Sequence, residues 1–341
     1  MTDRLDVTSR SDFLTRHGYL LVAVPPALIL STALLLFDAS ANMTIGDFTT
    51  LVQSLAEQSQ PVSLSRTLAE IRARYIWLAS VVLNITVPVG AAVLCGLMIY
   101  RAHSRRRLLQ VAAVGVALCL VGVLALFQSI ATQGVLYRSV FAFTYLTLEA
   151  SARFSPAFLA YVHSLISIIN GLAVVAPVIA VLAACSTLAR PEDGRASDLD
   201  ALTEQMRDLK EVLYAGSAIL VTGILHMGNW LRWPAALVGD QAVQDAVRGV
   251  ALSISLFWGA TFTLVLFATY APAASVLAAR ARARLKDEAY AKSIPHPEQW
   301  LKEHGFFVGI SDELPQIVVM AAPLVAGPLG ALLAASIGAS R

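Results

Sequence analysis

Seven stretches of this chain contain no Asp, Glu, Lys or Arg: residues 17–37, 75–100, 108–137, 154–189, 212–231, 249–279 and 314–340. Together they hold 191 of the 341 residues, so all 48 charged side chains fall in the other 150. A water-exposed surface cannot be assembled from uncharged segments of 20 residues or more. Each run is also long enough to cross the hydrocarbon core of a bilayer, which takes about 20 residues of helix. Backbone polar groups in hydrocarbon must bond within their own segment, so each run is expected to be a helix. The sequence therefore predicts an all-α polytopic integral membrane protein, a single membrane domain over residues 1–341 with about seven hydrophobic segments. A net charge of only +2 argues against a nucleic-acid partner.

The seventh run is interrupted by Pro323, Gly327, Pro328 and Gly330. This kinked C-terminal segment, 314–341, is expected either to cross or to re-enter, and to be enclosed by protein because its prolines free backbone carbonyls. At the other end, Arg4, Arg10 and Arg16 precede the run that opens at Gly18, and Ala39-Ser40-Ala41 follows it in the manner of a signal-peptidase site. The run is longer than a signal-peptide core of roughly 7 to 15 residues, so the expectation is an uncleaved first helix.

Arginine placement orients the helices. Arg101, Arg105, Arg106 and Arg107 crowd one seven-residue connector, which the positive-inside rule assigns to the cytoplasm. Alternation from that anchor leaves 17 Lys and Arg inside and seven outside, with Arg341 apart. The seven are Arg66, Arg72, Arg74, Arg138, Arg153, Arg232 and Arg248. This predicts a plasma (inner) membrane protein with a cytoplasmic N-terminus, its bilayer contacts being lipid.

Outside, segment 38–74 carries Phe48, Leu51, Val52 and Leu55 at helical spacing, an amphipathic helix expected to be capped by Asp47. A second helix is expected to begin near Ser63 or Thr67, the latter through the capping box Thr67-x-x-Glu70, and to run into the second span. Ser139 to Leu148 is too short to span, and its Phe141, Phe143 and Tyr145 suggest an interfacial aromatic belt. On the inside, Leu199, Leu202, Met206, Leu209 and Leu213 form two heptads in a helix that starts in segment 190–211 and enters span five. This seam is expected to pack on the continuation of span six, Ala278 to Lys292, or to serve as an oligomer or partner seam. Segment 280–313 is an aromatic helical module with Trp300, Phe306 and Phe307, where a cytosolic protein partner is expected.

Chemistry-bearing residues are few. No run holds a titratable carboxylate, Lys or Arg, which lowers ion-coupled transport and voltage sensing. Nucleotide-binding loops and the zinc-protease motif H-E-x-x-H are absent, so no catalytic residue is nominated and the chain is expected to be non-enzymatic. Cys95, Cys119 and Cys185 show no metal-site spacing and are expected to be small apolar fillers. His163 and His226 come at similar depth in spans four and five, a pair that suits haem or metal ligation; otherwise no cofactor is expected.

Three functions follow as expectations. The first is an oligomeric pore-forming or membrane-effector component, a homo-oligomer regulated by a cytosolic partner and assembled through small residues such as Ala326-x-x-x-Gly330. The second is a passive or partner-driven transporter or permease subunit, with a solute site near Asn84, Pro88, Asn170 and Pro177. The third is a haem-binding electron-transfer subunit through His163 and His226.

Overall fold

The computed structural model describes residues 18–40, 44–60, 62–189, 199–287, 290, 294–306 and 314–339, with side chains to residue 332 in the last segment. Phe307 lies outside these residues, as do Arg4, Arg10 and Arg16, which precede the first span. Among the described residues the structure is helical, without strands.

A 3-10 turn, Gly18–Ala23, leads into α1 (Val24–Ala39), followed by α2 (Ile45–Gln58), α3 (Leu64–Ala102) and α4 (Arg105–Ala131). A π-helical turn, Tyr137–Ala142, continues as α5 (Phe143–Ala150), and then come α6 (Pro156–Ser186) and α7 (Leu199–Arg232). After a 3-10 turn at Trp233–Ala236 come α8 (Gln241–Leu285), α9 (Pro297–Glu303) and α10 (Leu314–Ala339). Seven of these helices are long and apolar enough to cross a membrane, and together they make this a membrane-embedded protein. α3 and α8, at 39 and 45 residues, are about 58 and 68 Å long at 1.5 Å per residue, so both project beyond a hydrocarbon core of about 30 Å.

α7 is the centre of the bundle, packing on α3, α6, α8 and α10. Of its apolar window 56% is buried, against 6% for α4, which leans on α6 at the periphery. The connectors gather at two ends. At one end α2, α5 and the Trp233–Ala236 turn share a cluster containing Trp77, Trp230 and Trp233. At the other, Ile99, Val111, Leu188, Leu285, Leu301 and Phe306 surround the start of α7.

Local chemistry explains the helix starts: the cap of α2 differs from expectation, and that of α3 is Ser63, the first of the two expected starts. α2 is capped by Thr44, whose hydroxyl accepts from the Asp47 amide at 3.1 Å while Asp47 accepts from the Thr44 amide. Asp47 therefore stands at the third helical position of a capping box and is not the cap itself. α3 begins at Ser63, and Thr67 lies inside the helix, its hydroxyl donating to the Ser63 carbonyl at 3.0 Å. Glu70 is thereby free of capping duty and turns inward. The aromatic segment before residue 150 is helical, so Phe141 and Tyr145 stack at 5.3 Å as i, i+4 neighbours while Phe143, Thr144, Thr147 and Leu148 are buried. It closes one end of the bundle, and its Thr144 hydroxyl donates to the Trp230 carbonyl at 3.1 Å.

The heptad residues Leu199, Leu202, Met206, Leu209 and Leu213 are all buried, in one cluster with Ala274, Leu277, Ala281 and Leu285 of α8. The seam is thus covered by the chain itself, although α8 ends at Leu285, short of the expected Lys292. Phe306 joins the same cluster at 1% exposure, so it faces the core and not a partner; Trp300 is half-buried and stacks on His304 at 4.0 Å. Gly305, in the left-handed region at φ +74°, lets the chain turn there, and its carbonyl accepts from Lys210 Nζ at 2.8 Å.

α10 is one helix through both prolines, without the turn a re-entrant loop requires. Pro323 has no N–H, so the Val319 carbonyl lacks its intrahelical donor. The Ser217 hydroxyl of α7 supplies one at 2.7 Å. At Gly259 of α8 the backbones nearly touch, since a Cβ there would lie 2.7 Å from the Pro323 oxygen and 3.0 Å from the Leu324 Cα.

Candidate functional site

A cleft of about 940 Å³ opens where the first turns of α3 and α8 meet the end of α7, the Trp233–Gly239 connector and Ala331 of α10. Its charged lining among the described residues consists of Arg66, Arg72, Arg232 and Arg248, with no described Asp or Glu. Ser63, Ser65, Asn229, Gln241 and Gln244 add hydrogen-bonding groups, and Ile76, Val238 and Leu252 add apolar surface. The segregation is local. Segments 38–74, 138–153 and 232–248 together carry seven arginines and seven carboxylates, so this end of the protein is neutral as a whole.

Arg66, Arg232 and Arg248 are positioned by the fold. Arg66 follows the Ser63 cap, its Nη1 donates to the Gln58 carbonyl at 3.4 Å, and its guanidinium crosses over Gly239, filling the space a Cβ would take. Arg232 ends α7 and its Nη2 donates to the Gly327 carbonyl of α10 at 3.3 Å, joining the cleft to the proline-interrupted helix. Arg248 Nη1 reaches Asp245 Oδ1 at 3.0 Å and its Nη2 reaches Gln244 at 2.9 Å. The remaining carboxylates of that turn are occupied too, Asp240 accepting from the Ala242 and Val243 amides at 2.7 and 3.2 Å as the cap of α8. Two long helices thus direct their N-terminal, partially positive ends at the same space.

The wall behind the cleft is rigid. Glu70, 5% exposed, accepts from Trp233 Nε1 at 3.3 Å and from Arg74 Nη2 at 3.0 Å. Arg74 also lies over the Phe158 ring at 5.5 Å, and Trp77 packs on Trp230 and Trp233 at 5.5 and 5.1 Å. One carboxylate in this wall holds an arginine and an indole, which fixes the α3 turn that carries Arg66 and Arg72.

The residues singled out from sequence are dispersed. Asn84 and Pro88 are buried in α3, Asn84 at 6% exposure and facing α7 near Gly223. Asn170 is half-buried on α6. Pro177 lines a pocket of about 60 Å³ between α6, α7 and α8, apolar apart from Thr269 and Tyr270, which Asn84, Pro88 and Asn170 do not share. His226 lies beside Ser80 and Trp77, with Nδ1 3.5 Å from the Ser80 hydroxyl and its ring 6.1 Å from the indole. His163 is exposed and meets the edges of Phe141 and Tyr145 at 5.8 Å. The two imidazoles therefore have separate surroundings. Among the described residues no group of three or more His, Cys, Asp and Glu side chains comes together. Pro323 and Gly327 are buried against α8, and Gly330 faces Leu225 of α7.

The four cleft arginines were visible in the sequence only as members of the seven that oppose the inside bias. Their common destination, formed by helices almost two hundred residues apart, is a tertiary property. Comparison of the chain with protein-family models, curated proteins and solved structures gives no match.

Proposed function

We propose that the chain is a non-enzymatic, multi-pass subunit of the plasma (inner) membrane, N-terminus cytoplasmic, that takes up an anionic solute at its outer face for passive or partner-driven passage. The observation that carries this reading is the cleft whose described lining holds four arginines and no carboxylate. The 17 to seven asymmetry of Lys and Arg supports an orientation with the cleft on the outer face. Concave sites of roughly 300–1,000 Å³ suit small-molecule ligands, and guanidinium forks recognise oxyanions in two-point contacts. Proteoliposomes test it: anionic solutes are expected to enter faster than cations of the same size, and Arg66→Gln with Arg248→Gln to remove the difference. Equal entry of both signs, or entry no faster than in protein-free vesicles, overturns it.

An oligomeric pore or effector regulated by a cytosolic partner is the second reading, favoured by α4, whose apolar window is only 6% buried in the chain and offers a surface to another copy. The small residues of α10 support it less, because Ala326, Gly327 and Gly330 are engaged with α7 and α8. A monomer in nanodiscs without conductance in planar bilayers eliminates this second reading.

A further inference from the structure

We infer that the occupant of the arginine cleft is an organic phosphate, a phosphate group carried on a larger molecule; this rests on the anion-binding reading above. The charge-free runs of α7 and α8 end at the cleft, with Arg232 directly after 212–231 and Arg248 directly before 249–279. Arg66 and Arg72 stand within one to three helical turns of the run that begins at residue 75. The guanidiniums therefore come where the charge-free runs give way to charged sequence, and Ala73, Ile76 and Leu252 add apolar surface to the same lining.

The donor set selects among anions. Arginine supplies paired N–H groups in a planar fork, and several forks around one space suit an oxyanion with three or four oxygens better than a carboxylate or a halide. Amide and hydroxyl groups of Ser63, Ser65, Asn229, Gln241 and Gln244 add donors that a multi-oxygen group can use. A cleft of about 940 Å³ is far larger than an inorganic ion requires, so the phosphate belongs to a larger molecule. The two sources of such chemistry are an anionic phospholipid entering from the bilayer and a soluble phosphate ester entering from water. Both present the same headgroup to the same arginines.

The test uses the full-length protein in nanodiscs, read by thermal unfolding, since a ligand that binds only the native state raises the transition temperature. Three arms are compared at equal ionic strength: phosphatidylcholine discs with added glycerol 3-phosphate, phosphatidylcholine discs with added citrate, and discs containing phosphatidic acid. A rise with glycerol 3-phosphate that exceeds citrate identifies a soluble ester; a rise confined to phosphatidic acid identifies the lipid, and either supports the inference. In both cases Arg248→Gln, at a half-exposed surface position, is expected to weaken binding roughly tenfold or more, the loss of one charge-assisted contact. If citrate matches the phosphates, the site is an anion site without phosphate selectivity: the inference fails while the anion-binding reading stands. No rise in any arm overturns the inference, and the flux measurement then decides the broader reading separately.

Discussion

The Ser217 hydroxyl donates to the Val319 carbonyl at 2.7 Å, across the interface between α7 and α10. That carbonyl is the one Pro323, four residues on, leaves without an intrahelical donor. Ser217→Ala is therefore expected to destabilise the protein by about 0.6 to 1.7 kcal/mol, the range of hydrogen bonds between membrane helices. In a Pro323→Ala background the restored N–H satisfies Val319, and Ser217→Ala should cost much less. A double-mutant cycle on unfolding in bicelles measures the difference; an unchanged serine effect refutes the pairing.

Close backbone approach makes Gly259 irreplaceable. A Cβ there would meet the Pro323 oxygen at 2.7 Å and cannot be accommodated by rotating a side chain. Gly259→Ala is expected to cost about 1–3 kcal/mol through forced separation of α8 and α10. Gly90→Ala, with nothing within 4 Å, is expected to be neutral or to stabilise α3 by up to about 1 kcal/mol. Thermal unfolding of the two variants side by side distinguishes local crowding from a general dislike of substitution.

Arg66 occupies the space beside Gly239. Gly239→Ala should push the guanidinium aside while leaving the fold intact, because only the flexible end of a side chain has to move. Reduced anion binding with an unchanged transition temperature in ligand-free discs is the expected result. A drop in stability with unaltered binding would show that Arg66 acts on the connector and not on a ligand.

Glu70 holds two donors at once. Glu70→Ala leaves the Trp233 indole N–H and the Arg74 guanidinium without their acceptor, at a cost of about 1–3 kcal/mol. Glu70→Gln keeps an acceptor oxygen and is expected to be milder. Denaturation monitored by tryptophan emission, compared between the two variants and the wild type, reports the loss of stability.

The capping box of α2 lends that helix a pH dependence. Hydrogen bonds from the Thr44 side chain and amide favour the charged form and lower the Asp47 pKa below its ordinary value. The stabilisation is complete above the unfolded-state pKa of Asp and is lost as pH falls through the depressed native value. Protection factors of the amides in residues 45–50, taken relative to the intrinsic exchange rate at each pH, should fall on acidification in the wild type, and Asp47→Asn should flatten that dependence.

Much of this architecture could be read directly from the order of residues. Charge-free runs specify spans because hydrocarbon solvates neither charge nor open backbone, and this holds whatever the neighbours are. The heptad of α7 was legible for the same local reason, its leucines sharing a face by helical periodicity. Helix starts were less so: Asp47 and Thr67 both lie near candidate caps, and competition among Thr44, Ser63 and their neighbours is decided by backbone geometry at the turn. In the aromatic segment ending in α5, the order of residues does not reveal which side of the helix is covered, and packing buries Phe143, Thr144, Thr147 and Leu148.

What sequence alone determined is the partition of the chain between two solvents, since transfer energies act residue by residue. Which of the remaining charges meet is set by how the helices pack. Arg66, Arg72, Arg232 and Arg248 come from helices that are neighbours in space and not in sequence, and a shared electrostatic field depends on distance through space. The proline-interrupted helix follows the same division: its broken hydrogen bond is written in Pro323, but the Ser217 that repairs it could be identified only once α7 and α10 were packed together.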